Sequence, residues 1–143
     1  MGARVDYAAI RRFRDNLAKL NREQAAEFTE AAVKELAARL LTKVKKRTPV
    51  GQYPARSGKT GGTLRRSWTV GEVIREGDAY SIELINPTKY AVYVEYGHRT
   101  SNLKSWVDGR FMLTISMQEL QADAPRILEN KLKRFLEEVV NAK

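Results

Sequence analysis

A Gly-Lys-Thr triplet, a lone histidine and a dense basic block are the features of this chain whose residue types could do chemistry. Gly58-Lys59-Thr60 has the glycine, lysine and hydroxyl of a nucleotide loop. That motif needs four residues between its glycines, a strand before it and a helix after it. Here six residues separate Gly51 from Gly58, and the segment follows a helical stretch and leads toward a strand. Nucleotide binding is therefore set aside. His98 is the single histidine, with Glu95 just ahead of it in sequence. The pair has the parts of a general base and its orienting acid. One imidazole without any cysteine cannot build a typical zinc site, and no serine or aspartate arrangement supplies a nucleophile. The reading is structural: not an enzyme, with no cofactor and no metal.

Charge is the stronger signal. The chain has 143 residues and a formal net charge of +9. No acidic residue lies between Glu35 and Glu72, while Arg39, Lys43, Lys45, Lys46, Arg47, Arg56, Lys59, Arg65 and Arg66 do. Such a block attracts phosphate or an acidic protein surface, or it is a solvated loop that keeps a basic protein in solution. Trp68, Tyr80, Tyr90 and Tyr93 near Arg65 and Arg66 have the composition of a stacking platform for single-stranded nucleic acid. Alternation places Trp68 on one strand face with Val70, which favours burial. Trp106 sits between Lys104-Ser105 and Val107-Asp108 without periodic neighbours, which reads either as an exposed anchor for a partner subunit or as a ring folded back on its own domain.

The elements that must position these residues follow from periodicity. Tyr7 to Leu20 reads as a short helix with Ile10, Phe13, Leu17 and Leu20 on one side. A long amphipathic helix follows from Arg22 to Lys46, with Ala25, Phe28, Ala32, Leu36, Leu40 and Val44 as its stripe and Val33, Ala37 and Leu41 widening it. Asn21 is its N-cap, with Gln24 completing a capping box, and Thr48-Pro49 ends it. Residues 50–63, with Pro54, Gly51, Gly58, Gly61 and Gly62, form a flexible basic loop. From Leu64 the period changes to two. Trp68, Val70, Val73 and Ile74 make a strand bulged near Gly71, and Glu76-Gly77-Asp78 turns it into a second strand with Tyr80, Ile82 and Leu84, an antiparallel hairpin. Asn86-Pro87 closes it, and Lys89 to Tyr96 is a short helix with Tyr90, Tyr93 and Val94 inward. A second loop spans Gly97 to Gly109. Helical periodicity then returns in Met112, Ile115, Leu120 and Ala124, and again in Ile127, Leu128, Leu132, Phe135, Leu136 and Val139. Pro125 either kinks one helix or starts the second, with Asp123 as a cap. The class is α+β: a long N-terminal amphipathic helix and C-terminal helices packed on a small antiparallel sheet, one domain over residues 1–143.

Several short pieces recur in a characteristic order: Thr48-Pro49-Val50, Leu64-Arg65-Arg66-Ser67-Trp68, Ile85-Asn86-Pro87, Tyr90-Ala91, Val94-Glu95-Tyr96-Gly97-His98 and Gly109-Arg110-Phe111-Met112. Together they resemble the tail-completion and neck proteins of tailed bacteriophages, the family named after the gene 10 product of phage HK97, from about Phe28 to Phe135. In that family the threonine-proline-valine unit is usually followed closely by an aspartate, a threonine and a glycine; here a longer basic loop without aspartate stands in that place.

The resemblance implies a homo-oligomeric ring, usually sixfold, that closes the tail tube or joins it to the head connector, in a virion or in a headless phage-derived particle such as a bacteriocin. It implies tube, sheath or neck proteins as partners, DNA passing through the ring, and a structural role for the Glu-Tyr-Gly-His unit. Arg56, Lys59, Arg65, Arg66 and Trp106 are the expected partner-binding residues. A rival reading is a stand-alone nucleic-acid-binding protein using residues 39–66. No apolar run approaches the roughly 18 residues that span a bilayer. Met1 to Asp6 lacks an apolar signal core, and Asp6 stands where a myristoylation motif wants Ser or Thr, so synthesis in the bacterial cytoplasm is expected, with no membrane partner.

Overall fold

A computed structural model describes residues 7–141; the Met1–Asp6 segment read above for targeting lies outside the described residues. The first helix, α1 (Tyr7–Leu17), ends in a tightened turn in which the Leu20 amide donates to the Leu17 carbonyl. The second, α2 (Arg22–Arg47), starts from the expected capping box: Asn21 Oδ1 accepts from the Gln24 amide at 2.8 Å, and Gln24 Oε1 accepts from the Asn21 amide at 3.1 Å. The α2 stripe buries Phe28, Ala32, Ala37, Leu40 and Val44.

Leu64 is not on a strand. Residues Thr63–Arg66 form a single helical turn, α3, launched from Gly62 at a φ of +94°. The turn buries Leu64 and swings Arg65 back onto the end of α2. Extended backbone begins with β1 (Thr69–Val70), which pairs with β4 (Leu84–Ile85), and continues with β2 (Ile74–Glu76), which pairs with β3 (Ala79–Ser81). Both ladders are antiparallel and form one interrupted hairpin. Between the pairs Val70↔Leu84 and Ile74↔Ser81 the first strand has three residues where its partner has two. That extra residue is a β-bulge at Gly71–Val73, as expected from the sequence. At the tip, Gly77 takes a φ of +62° between the paired Glu76 and Ala79, where tight hairpin turns favour glycine.

The short helix α4 (Ala91–Tyr96) turns Ala91 and Glu95 inward, with Val94 half-buried against the core. Tyr90 and Tyr93, expected inside, are exposed. Helical spacing puts 91, 94 and 95 on one face, so residue 93 must point away. The stretch expected to be a loop contains a hairpin, β5 (Gly97–Arg99) against β6 (Trp106–Asp108), its strands too short to show an alternation. Finally, α5 (Met112–Asn141) runs unbroken through Pro125, and Asp123 pairs with Arg126 at 3.7 Å instead of capping. The principal partner of α2 is α5 rather than a sheet. Two apolar clusters result. One gathers Leu40, Val44, Leu64, Trp68, Ala91, Met112, Leu120 and Ile127; the other joins Phe28, Ala32 and Leu132 to Phe13, Leu17 and Phe135. Pro125 lies between Leu120 and Ile127, both members of the first cluster, and the carbonyl it leaves without a helical donor marks a place for the helix to bend.

Candidate assembly surface

The motif residues first build a frame. Thr48 is fully buried at the end of α2, its hydroxyl donating to the Val44 carbonyl at 2.7 Å and accepting from Trp68 Nε1 at 2.8 Å. Its carbonyl accepts twice from the Arg65 guanidinium, at 3.2 and 2.7 Å. Asn86 Nδ2 donates to the Leu64 carbonyl at 2.8 Å, tying β4 to α3. Glu95 is buried, and its carboxylate accepts from the Leu113 amide at 2.9 Å, the Thr114 amide at 2.8 Å and the Thr114 hydroxyl at 2.7 Å. A carboxylate there satisfies otherwise unpaired amides of α5 and sits at the favourable end of the helix dipole. Glu95 is thus committed to α5 and does not orient His98. The His98 ring lies edge-on to Tyr93 with centroids 5.9 Å apart, and its Nδ1 is buried without a hydrogen-bond partner.

Around this frame the basic block divides. Lys43 and Arg47 both bind Glu119, the first at 3.1 Å. Hydrogen bonds from Arg47 and then Lys43 hold the Glu119 carboxyl below its ordinary range. Arg39 lies 4.0 Å from Glu35. Arg65 is spent on Thr48, and Arg66 Nη1 donates to the Gly61 carbonyl at 3.0 Å, so both secure the root of the basic loop. Arg56 is exposed on a single 3-10 turn, and Lys59 stands over the Tyr53 ring at 5.7 Å from its centre. The loop is packed beside α4: a cleft of about 320 Å³ is lined by Pro49, Val50, Tyr53, Gly61, Tyr90 and Val94.

Trp106 lies on β6 opposite Arg99 and is 59% exposed. It belongs to a larger ridge. Tyr93, Tyr96 and Phe111 are exposed as well, and Tyr96 packs edge-on against Phe111 at 6.4 Å. The hairpin reaches this position because Gly97 and Gly109 let backbones approach: a Cβ at Gly97 would stand 2.6 Å from the Val107 carbonyl oxygen, and one at Gly109 would stand 2.5 Å from that of Glu95. The sequence left Trp106 open between an exposed ring and one folded back on its own domain, and the ring is exposed; Tyr93 was expected inward, and Tyr96 and Phe111 were not singled out. The signal was present in the helical spacing of α4, where the inward positions were already filled by Ala91, Val94 and Glu95.

Among the described residues no group of three or more His, Asp or Glu side chains gathers to hold a metal, and no helix is long and apolar enough to cross a membrane. What the surface offers is contact: exposed aromatic side chains on and beside α4, next to a basic loop packed against the same helix. No curated protein and no solved structure matches the chain. A family model described as "Bacteriophage HK97-gp10, putative tail-component" matches residues 11–97, more than half of the chain and most of the frame around Thr48, Trp68 and Asn86. The chain belongs to the HK97 gp10-like family of bacteriophage tail components.

Proposed function

We propose that this protein is a ring-forming completion component of a phage or phage-derived tail, closing the tail tube or joining it to the neck, with six copies to the ring. The observation that carries this reading is the exposed aromatic ridge of Tyr93, Tyr96, Trp106 and Phe111 on a chain of this family. Exposed aromatics in such number fit a surface that becomes buried on assembly. Arg56 and Lys59 extend the contact toward acidic surfaces of neighbouring tail or neck proteins, while Arg65 and Arg66 hold the loop that presents them. The test is mass measurement of the purified protein, with negative-stain imaging of it alone and with tail tubes. Closed rings in solution or at tube ends are expected. A chain that stays monomeric and never decorates a tube end refutes the proposal.

A further inference from the structure

One groove has no role in the frame. It has a volume of about 610 Å³ and lies between α2 and the interrupted hairpin, with Ala38, Leu41, Val70, Val73 and Ile82 as its apolar lining and Glu30, Lys34 and Glu72 as its polar members. Lys34 is held by Glu30 at 3.3 Å, whereas Glu72 has no ion-pair partner among the described residues. On the hairpin side of the groove Glu72 is the one charged lining residue among the described residues.

The β5–β6 hairpin is the counterpart in shape and charge. Its tip is fastened by the Thr100 amide donating to the Ser105 carbonyl at 2.9 Å and the Leu103 amide donating to the Thr100 carbonyl at 2.8 Å. Asn102 Oδ1 accepts from the Lys104 amide at 3.0 Å. Leu103 is held at a φ of +60° and is 68% exposed, next to the exposed Trp106. A leucine rarely adopts that backbone conformation, and here it projects an apolar knob into solvent. Lys104 follows the knob directly in the chain, and Arg99 stands opposite Trp106 at the tip-side end of the ladder.

The two surfaces lie on different sides of the molecule. The groove row on α2 (Glu30, Lys34, Ala38, Leu41) is roughly 150° around the helix from the Lys43 and Arg47 row that grips α5, and α5 is the helix that Glu95 ties to α4 and the hairpin. An apolar knob accompanied by Arg99 and Lys104 and an apolar groove carrying Glu72, unpaired among the described residues, are complementary. Between chains they make a head-to-tail contact, the kind that closes into rings.

We propose that the Leu103–Trp106 tip of one copy seats in the α2–hairpin groove of the next copy, with Arg99 and Lys104 facing Glu72. This assignment rests on the ring reading and names the two faces that build it. Because the chain has no cysteine, the contact can be trapped directly. A mixture of Leu103→Cys chains and Val73→Cys chains, each confirmed as folded by circular dichroism, is treated with a short thiol-reactive linker. A heterodimer is expected from the mixture and from neither chain alone, and a chain with both substitutions should give a ladder of oligomers. Adding Glu72→Lys to the groove copy should lower the cross-linked yield at least about tenfold through like-charge contact, and Lys104→Glu on the hairpin copy should restore it. If unmodified chains form rings but the mixture gives no heterodimer, the pairing is wrong and the ring reading stands. Efficient linkage of Leu103→Cys chains to one another would mean a two-fold contact and also overturns it. Monomers that never reach a tube end remove both proposals together.

Discussion

At the scale of single residues, Thr48 and Trp68 show how a motif without catalytic chemistry becomes recognisable. A threonine before proline ends α2, and its hydroxyl accepts the N–H of the buried indole. Replacing Trp68 with Ala should cost about 3–5 kcal/mol in equilibrium unfolding, as for other buried large aromatics, and a loss below about 1 kcal/mol would contradict its burial. Both residues were legible in sequence, Trp68 through its strand-face alternation with Val70. Glu95 was not. It lies near His98 in sequence, which invites an acid–base reading, yet its partners are the Leu113 and Thr114 groups of α5. Backbone amides leave no mark in a sequence, so a capping residue this distant from its helix is invisible until the chain is folded. Glu95→Ala should cost about 2–4 kcal/mol, because it leaves buried amides unpaired and removes a charge from the helix start. Chemical denaturation of this variant beside an Asp-for-Glu variant, Glu95→Asp, would separate a lost cap from a shortened one.

At the scale of elements, periodicity succeeded where elements were long and failed where they were two or three residues. The capping box of α2, the bulge at Gly71 and the stripe of Phe28, Ala32, Leu40 and Val44 were all readable, since each rests on a local pattern. The β5–β6 hairpin was not, because three-residue strands carry no alternation, and its closeness to α4 depends on two glycines far apart in the chain. For α5 the proline left two outcomes open, and packing decided between them: Leu120 and Leu132 serve different clusters, and one continuous helix reaches both. Gly58 and Gly97 both have left-handed φ, at +69° and +88°, but a Cβ meets nothing within 4 Å at Gly58 and a carbonyl oxygen at 2.6 Å at Gly97. Gly58→Ala should therefore cost only the conformational strain, about 1–2 kcal/mol. Gly97→Ala must also part β5 from β6 and should cost at least about 3 kcal/mol. Equal losses in thermal unfolding would show that the hairpin is not held as closely as the structure has it.

At the scale of the whole molecule, the basic excess is distributed by use rather than by sequence. Arg39, Lys43 and Arg47 face carboxylates, Arg65 and Arg66 face carbonyls, and Arg56 and Lys59 are left at the surface of the loop. A block that reads in sequence as nine equivalent charges is therefore divided: five are engaged within the chain, while Lys45 and Lys46 on α2 and Arg56 and Lys59 on the loop have no carboxylate or carbonyl partner among the described residues. This changes how the loop has to be tested. Replacing Arg56, Lys59, Arg65 and Arg66 together would remove the two bonds to the Thr48 carbonyl, so poor assembly of that variant would follow from a loosened frame alone. Changing only Arg56→Gln and Lys59→Gln spares the frame and should leave stability within about 0.5 kcal/mol, as for exposed substitutions elsewhere. If the loop meets an acidic protein surface, this pair should impair particle completion in a complementation assay, and the defect should deepen as salt weakens the remaining attraction. If it meets DNA, the unmodified protein should retard duplex at low salt and lose that affinity steeply as salt rises, with a slope that becomes shallower in the double variant. Full completion by the double variant, together with no retardation by the unmodified chain, would return Arg56 and Lys59 to the role of solvated charge and leave the aromatic ridge as the assembly surface.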